Sequence, residues 1–251
     1  MIEQQSIPAM GSDQKLAQTK NTFFNMLCSH KYSYHFDWLG RPIIQFPQDI
    51  VAMQELIWEV KPDLIIETGI AHGGSLIFSA SMLALLDMCD SIEANKEFNP
   101  KRSERKVLGI DIDIREHNRV AIEKHPMASR IQMLEGSSIS EQTIAQVKKI
   151  AHGYSRVLVC LDSNHTHEHV LSELNAYANL TSVGSYCVVF DTVVEDMPKD
   201  MFPDRPWGPG DNPKTAVWEF LKSHSEFVID KDIEHKLQLT VAPDGYLKRI
   251  S

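Results

Sequence analysis

Positive charge is scarce in this sequence. Lysine and arginine total 25 against 34 aspartates and glutamates, a formal charge of −9 over 251 residues. So acidic a chain has no basic face for phosphates to neutralise, which excludes DNA and RNA as partners and gives anionic lipid nothing to hold. Long hydrophobic runs are missing as well: none reaches the roughly 18 residues of a membrane span. The opening, Met1-Ile-Glu-Gln-Gln-Ser, lacks the basic-then-apolar order of a signal peptide. Cysteines are few and show no pairing pattern. Cys28, Cys89, Cys160 and Cys187 include no Cys-x-x-Cys, and the last two lie inside apolar runs. They read as buried thiols in a reducing, cytoplasmic setting. What is plentiful is core material. Hydrophobic residues make up 43% of the chain, too many for a disordered one, and the length suits a single α/β domain with added elements.

Residues 1–12 read as a loose terminus and 13–28 as a helix. An aromatic stretch with Tyr32, Tyr34, Phe36 and Trp38 follows without a clear period. Residues 1–46 are therefore expected to form a helical and aromatic segment packed on a main domain spanning 47–251. From Pro47, whose ring suits a first helical turn, the pattern becomes regular. Helices are predicted over 47–60, 73–87, 114–124, 140–151 and 166–178, and strands over 63–67, 106–111, 130–134, 156–161 and 185–190. The strands are near-continuous apolar runs, as in a parallel sheet covered on both faces. Five alternations of strand and helix predict a doubly wound, Rossmann-like α/β fold. The polar stretch 91–105, with Lys96, Lys101, Arg102 and Arg105, reads as a surface insertion. Residues 193–213 carry five prolines and two glycines, so they read as a long irregular loop, in a compact domain a candidate lid. A helix over 213–223 and antiparallel strands over 227–229 and 237–241 close the chain.

The most informative segment is Glu67-Thr68-Gly69-Ile70-Ala71-His72-Gly73-Gly74-Ser75. Gly69 permits a tight turn at a strand's carboxyl end, and Gly73 and Gly74 permit close approach to the first turn of a helix. A dinucleotide fingerprint would cradle a pyrophosphate. A carboxylate at position 67 would repel one and suits a cationic amino acid or a sulfonium. The second strand ends in Asp111, placed to accept hydrogen bonds from ribose hydroxyls, while Asp113 is a candidate cap for the next helix. The third ends in Gly136-Ser137-Ser138, a small polar turn suited to lie against a purine. Ligands bind at such strand ends in open α/β sheets.

The fourth strand runs into Asp162-Ser163-Asn164-His165 and the fifth into Phe190-Asp191-Thr192. Asp162 and Asp191, on strands expected to be neighbours, suit a divalent cation with oxygen ligands, which would ease deprotonation of a substrate hydroxyl. His165, at the start of a helix whose positive end disfavours imidazolium, suits a general base. His167 reads as an edge-of-core histidine, and His169 shares the polar side of its helix with Glu173. An alternative set, Asp162, His165 and His169, has the composition of a non-haem iron site, which would make the protein a hydroxylase.

Taken in order, Glu67-x-Gly69-x-x-x-Gly73-Gly74-Ser75, Gly109-Ile-Asp111-Ile-Asp113, Asp162-Ser-Asn-His165 and Val189-Phe190-Asp191-Thr192 resemble the cephalosporin hydroxylase family. The resemblance covers residues 32–222. It implies a class I methyltransferase fold, related to rhamnosyl and macrolide-sugar O-methyltransferases, with S-adenosylmethionine and Mg2+ as cofactors. It further implies that Glu67, Gly69 and Ser75 line the methionine part of the cofactor, that Asp111 holds the ribose, that Asp162 is a magnesium ligand and that His165 is the base. The acceptor would be a sugar or another small molecule or glycan, and a homo-oligomer is compatible with the family. The sequence departs from it at Phe190. Related metal-dependent enzymes tend to carry two adjacent acid or amide ligands there, and phenylalanine ligates nothing. Glu195 or Asp196 would then supply the missing ligand, the enzyme would work without metal, or the chain would be an inactive cofactor-binding partner subunit.

Overall fold

The computed structural model describes residues 2–100 and 103–251, with side chains from Ser6 onward, so Lys101 and Arg102 of the expected basic insertion lie outside the described residues. Helices α1 (Ile2–Ser12) and α2 (Gln14–Ser29) lead into a small antiparallel hairpin, β1 (Phe36–Trp38) and β2 (Arg41–Ile43). Then follow α3 (Pro47–Val60), β3 (Leu64–Thr68), α4 (Gly74–Glu93), β4 (Lys106–Asp111), α5 (Glu116–Glu123) and β5 (Ile131–Glu135). The second half contains α6 (Glu141–Ala151), β6 (Val157–Leu161), α7 (His167–Tyr177), β7 (Tyr186–Val189), α8 (Pro213–Phe220), β8 (Phe227–Ile229), α9 (Lys231–Leu237) and β9 (Tyr246–Arg249).

The main sheet has the order β5-β4-β3-β6-β7-β9-β8. Its first five strands are parallel, and β9 and β8 add an antiparallel edge. The chain steps outward from β3 to β5, then crosses back to β6 and β7 on the other side. The crevice at that reversal, outside the carboxyl ends of β3 and β6, is where an open α/β sheet binds ligands. Two apolar layers cover the sheet. Ala52, Leu56, Leu76 and Leu83 of α3 and α4 fill one; Val147, Val170, Leu174 and Phe220 of α6, α7 and α8 fill the other. Helix α4 is long and apolar enough to cross a membrane by length and composition, but half of its most apolar window is buried. Its place against the sheet makes it a core helix.

Two sequence expectations change here. Residues 2–12 are helical rather than loose: α1 runs beside α9, with Gly11 against the His235 ring, a contact that overrides the poor helix propensity of Pro8 and Gly11. The strand expected over 237–241 does not form. Its first residue ends α9, Gln238 turns with φ +60°, and the buried carboxylate of Asp49 takes the segment over. Asp49 accepts from the Thr240 hydroxyl, the Val241 amide (2.9 Å) and the Tyr246 hydroxyl (2.8 Å). The last strand is β9 instead. Trp38 of the aromatic stretch packs against the core: its ring meets Phe78 edge-on at 4.9 Å and its indole N–H donates to Ser81 (3.0 Å).

Candidate active site

The turn between β3 and α4 forms the floor of the crevice. Gly69 has φ +87°, and a Cβ there would lie 2.1 Å from the carbonyl oxygen of Asp162. No side chain fits while the ends of β3 and β6 stay together. Glu67 is buried, and its Oε1 accepts from the Ser75 hydroxyl. Burial pushes its carboxyl up to about 7, with the Ser75 bond pulling the other way. Gly73 and Gly74 differ from expectation. The side-chain space at Gly73 is taken by Ile122, and that at Gly74 by the backbone of Pro42 and Ile43 in the hairpin. Gly74 borders the cleft and Gly73 does not. The glycine pair serves mainly to let α5 and the hairpin close on α4.

Beside this turn is a pocket of ≈ 440 Å³ bordered by Gly69, Asp111, Ile112, Ser137, Ser138, Asn164 and His169. Asp111 Oδ2 accepts from the amides of Ile70 (2.7 Å) and Ala71 (3.3 Å), and Oδ1 from that of Asp113 (3.2 Å). The carboxylate thus braces the glycine turn, Oδ2 with both lone pairs engaged, while Oδ1 keeps a further lone pair for a ligand hydroxyl. Asp113 does not cap α5, whose N-cap is Arg115. Gly136 stands behind the pocket wall, its open side against Thr143.

The larger part of the cleft, ≈ 730 Å³, is bordered by Tyr34, Gln45, His72, Ser75, Asp162, His165 and Asp191 among others. Asp162, His165 and Asp191 present ligand atoms all within 4.8 Å of one another. His165 Nδ1 is 3.3 Å from Asp191 Oδ2, and Trp207 of the 193–213 loop packs edge-on against the imidazole at 5.2 Å. Burial, then the neighbouring carboxylates of Asp191, Glu67 and Glu173, push the Asp162 carboxyl well above the usual carboxylate range, against a hydrogen bond from Gln45. The expected stand-ins for a metal ligand are engaged elsewhere. Glu195 accepts from the Gly210 amide (2.7 Å) and the Asn212 side chain, and Asp196 pairs with Lys214 (2.6 Å). His169 does not join the Asp162–His165 cluster, so the two-histidine iron set does not assemble; its Nε2 faces Ser138 and Ser163. His167 bonds Thr215 (2.8 Å), as an edge-of-core histidine would.

The donor set fits both expected cofactors. Glu67 and the Asp162–Asp191 pair have no lysine or arginine among the described residues bordering the cleft; an ammonium, a sulfonium or a divalent ion would balance them. Gln45 supplies a further sign. Its Nε2 donates to Asp162 (3.1 Å), while its buried Oε1 has no partner, which is costly unless a ligand donor meets it. Sequence reasoning missed Gln45, because the stretch around it has no period, and missed the burial of Glu173, which α7 carries inward at 0% exposure.

The pattern of the family described as rhamnosyl O-methyltransferase/CmcI matches residues 30–250. A rhamnosyl O-methyltransferase of Mycobacterium tuberculosis is 28% identical over 206 residues, covering 80% of this chain and 73% of that protein. One from Mycobacterium leprae is 26% identical over 213 residues, covering 84% and 82%. Among solved structures, a Mg- and SAM-bearing CmcI superposes with a TM-score of 0.56 at 16% identity, over 87% of this chain and 78% of that one. The fold is thus the class I methyltransferase fold, and the chain belongs to the rhamnosyl O-methyltransferase/CmcI family of S-adenosylmethionine-dependent O-methyltransferases.

Proposed function

We propose that this O-methyltransferase acts on a hydroxyl of a sugar, as a small molecule or within a glycan, with His165 as general base. The observation that carries the reading is the meeting of Asp162, His165 and Asp191 at the ends of β6 and β7 in an open cleft. S-adenosylmethionine, when bound, supplies a methyl group on an electrophilic sulfonium. An alcohol is too weak an acid to ionise near neutrality, so its proton must leave as its oxygen attacks. His165 is built for that step. Asp191 on Nδ1 orients the ring, leaves Nε2 to accept the hydroxyl proton and stabilises the imidazolium that results, the division of labour of a histidine–aspartate pair. Glu67, Ser75 and Gly69 would receive the methionine part of the cofactor, Asp111 the ribose, and Ser137 and Ser138 the purine. Asp162 and Asp191 would hold magnesium, which when bound lowers the pKa of a nearby hydroxyl. Trp207 beside His165, and half-exposed Tyr34 across the cleft, offer the flat apolar faces that suit a sugar ring, so residues 193–213 would act as the acceptor lid. Four free cysteines fit a cytoplasmic enzyme.

The test is an acceptor panel of rhamnosides, nucleotide sugars and glycans with methyl-labelled cofactor. Label on a sugar hydroxyl supports the reading. Oxygen-dependent turnover with stoichiometric iron would replace it, and failure of every acceptor would favour a partner subunit without turnover.

A further inference from the structure

Glu173 takes no part in the chemistry above, yet it is a carboxylate with no exposed surface, and its Oε2 has no partner. Around it runs a short polar chain beneath the pocket that holds Asp111. The Ser163 hydroxyl donates to Glu173 Oε1 at 2.6 Å, and Ser163 Oγ also lies 3.2 Å from His169 Nε2. A hydroxyl has one proton. With that proton given to Glu173, Ser163 meets His169 only as an acceptor, so Nε2 carries the ring proton. Ser138 Oγ at 3.1 Å and Glu173 Oε1 at 3.5 Å face the same nitrogen. In a neutral imidazole one nitrogen donates and the other accepts, which leaves Nδ1 as the acceptor. His169 borders the same pocket as Asp111, Ser137 and Ser138.

We infer that His169 is a specificity-determining residue that reads the cofactor's purine through Nδ1, and that Glu173 is the positioning residue that fixes its tautomer by way of Ser163. The inference rests on the reading of this pocket as the adenosine site. An acceptor nitrogen there welcomes the exocyclic amine of adenine and opposes the carbonyl that replaces it in hypoxanthine. Glu173 enforces the choice by taking the Ser163 proton.

Calorimetric titration with S-adenosylhomocysteine and S-inosylhomocysteine, which differ at the purine 6-position, tests this. The wild type should prefer the adenosyl ligand by about tenfold or more, the scale of one buried hydrogen bond made or denied. His169→Phe keeps a ring and removes the nitrogens; it should bring the ratio near unity while still binding the adenosyl ligand. Glu173→Gln, close to isosteric, has an amide that can donate to Ser163 and reverse the chain, so it should narrow the ratio too. A purely structural role would weaken both ligands alike and leave the ratio where it was. If His169→Phe does not fold by circular dichroism, Glu173→Gln decides. A ratio kept in the folded variants, or a wild type that binds the adenosyl ligand without preference, overturns the inference alone. A wild type that binds neither ligand overturns the adenosine reading and the inference with it.

Discussion

At the scale of single residues, the cleft gathers carboxylates that have little to neutralise them until ligands arrive. Asp111 is the exception, already holding three backbone amides. Asp111→Ala should therefore act twice, removing the proposed ribose acceptor and loosening the glycine turn, and S-adenosylhomocysteine should bind at least about tenfold more weakly by calorimetry. Unchanged affinity would take Asp111 out of the site. Asp162→Asn removes a charge from the crowded cluster but keeps its shape and its bond to Gln45. Turnover should fall sharply, and treatment of the wild type with a chelator shows whether it falls through a metal: activity that survives chelation assigns Asp162 to positioning alone. Asp111 and Asp162 were legible in the sequence as candidates because each follows directly on an apolar run, and His165 because it stands three residues after Asp162. Gln45 and Asp49 were not, since their partners lie far along the chain, nor was Glu173, which nothing local marks as buried. Glu195 and Asp196 failed as ligand candidates for the same reason: Asn212 and Lys214, which occupy them, are 17 and 18 residues away.

At the scale of elements, the β3–α4 turn bears the tightest constraint. Gly69→Ala would place a methyl into the Asp162 carbonyl on a backbone with positive φ. The conformation alone costs about 1–2 kcal/mol, and the clash adds to it, so chemical denaturation should show a clear loss of stability and the cleft should lose cofactor affinity. The proposed lid makes a different prediction. Trp207 touches His165 and Phe202 but supplies no group to the proton transfer. Trp207→Ala should raise the KM for the acceptor more than it lowers kcat, with cofactor affinity unchanged; an effect on cofactor affinity alone would contradict the assignment of this loop to the acceptor. The parallel strands and their helices were readable from apolar runs and alternation. The ends of the chain were not, because α1 and the segment after α9 take their conformation from distant contacts rather than from their own propensity.

At the scale of the whole molecule, buried carboxylates bind the fold to pH. Burial raises Asp49 to about 6 and Glu67 to about 7. A carboxyl whose pKa rises on folding makes the native state hold more protons than the unfolded one, so stability falls as pH rises through the window between the unfolded and folded values. The ligand-free protein should accordingly melt at a higher temperature near pH 5 than near pH 7.5. Glu67→Gln should flatten that dependence, and an unchanged slope would show that Glu67 is not ionising in the window. The doubly wound sheet brings the ends of β3, β4, β6 and β7 to one crevice, and the central claim is that this crevice transfers a methyl group to a sugar oxygen with His165 taking the proton. The most direct measurement is transfer of labelled methyl from S-adenosylmethionine to a rhamnosyl acceptor by the wild type and by His165→Gln, at matched cofactor occupancy. The expected result is label on a sugar hydroxyl with the wild type and turnover lower by about 10²-fold or more in the variant, the scale of a lost general base. Near-normal turnover in His165→Gln, or no transfer by the wild type to any sugar, would contradict it.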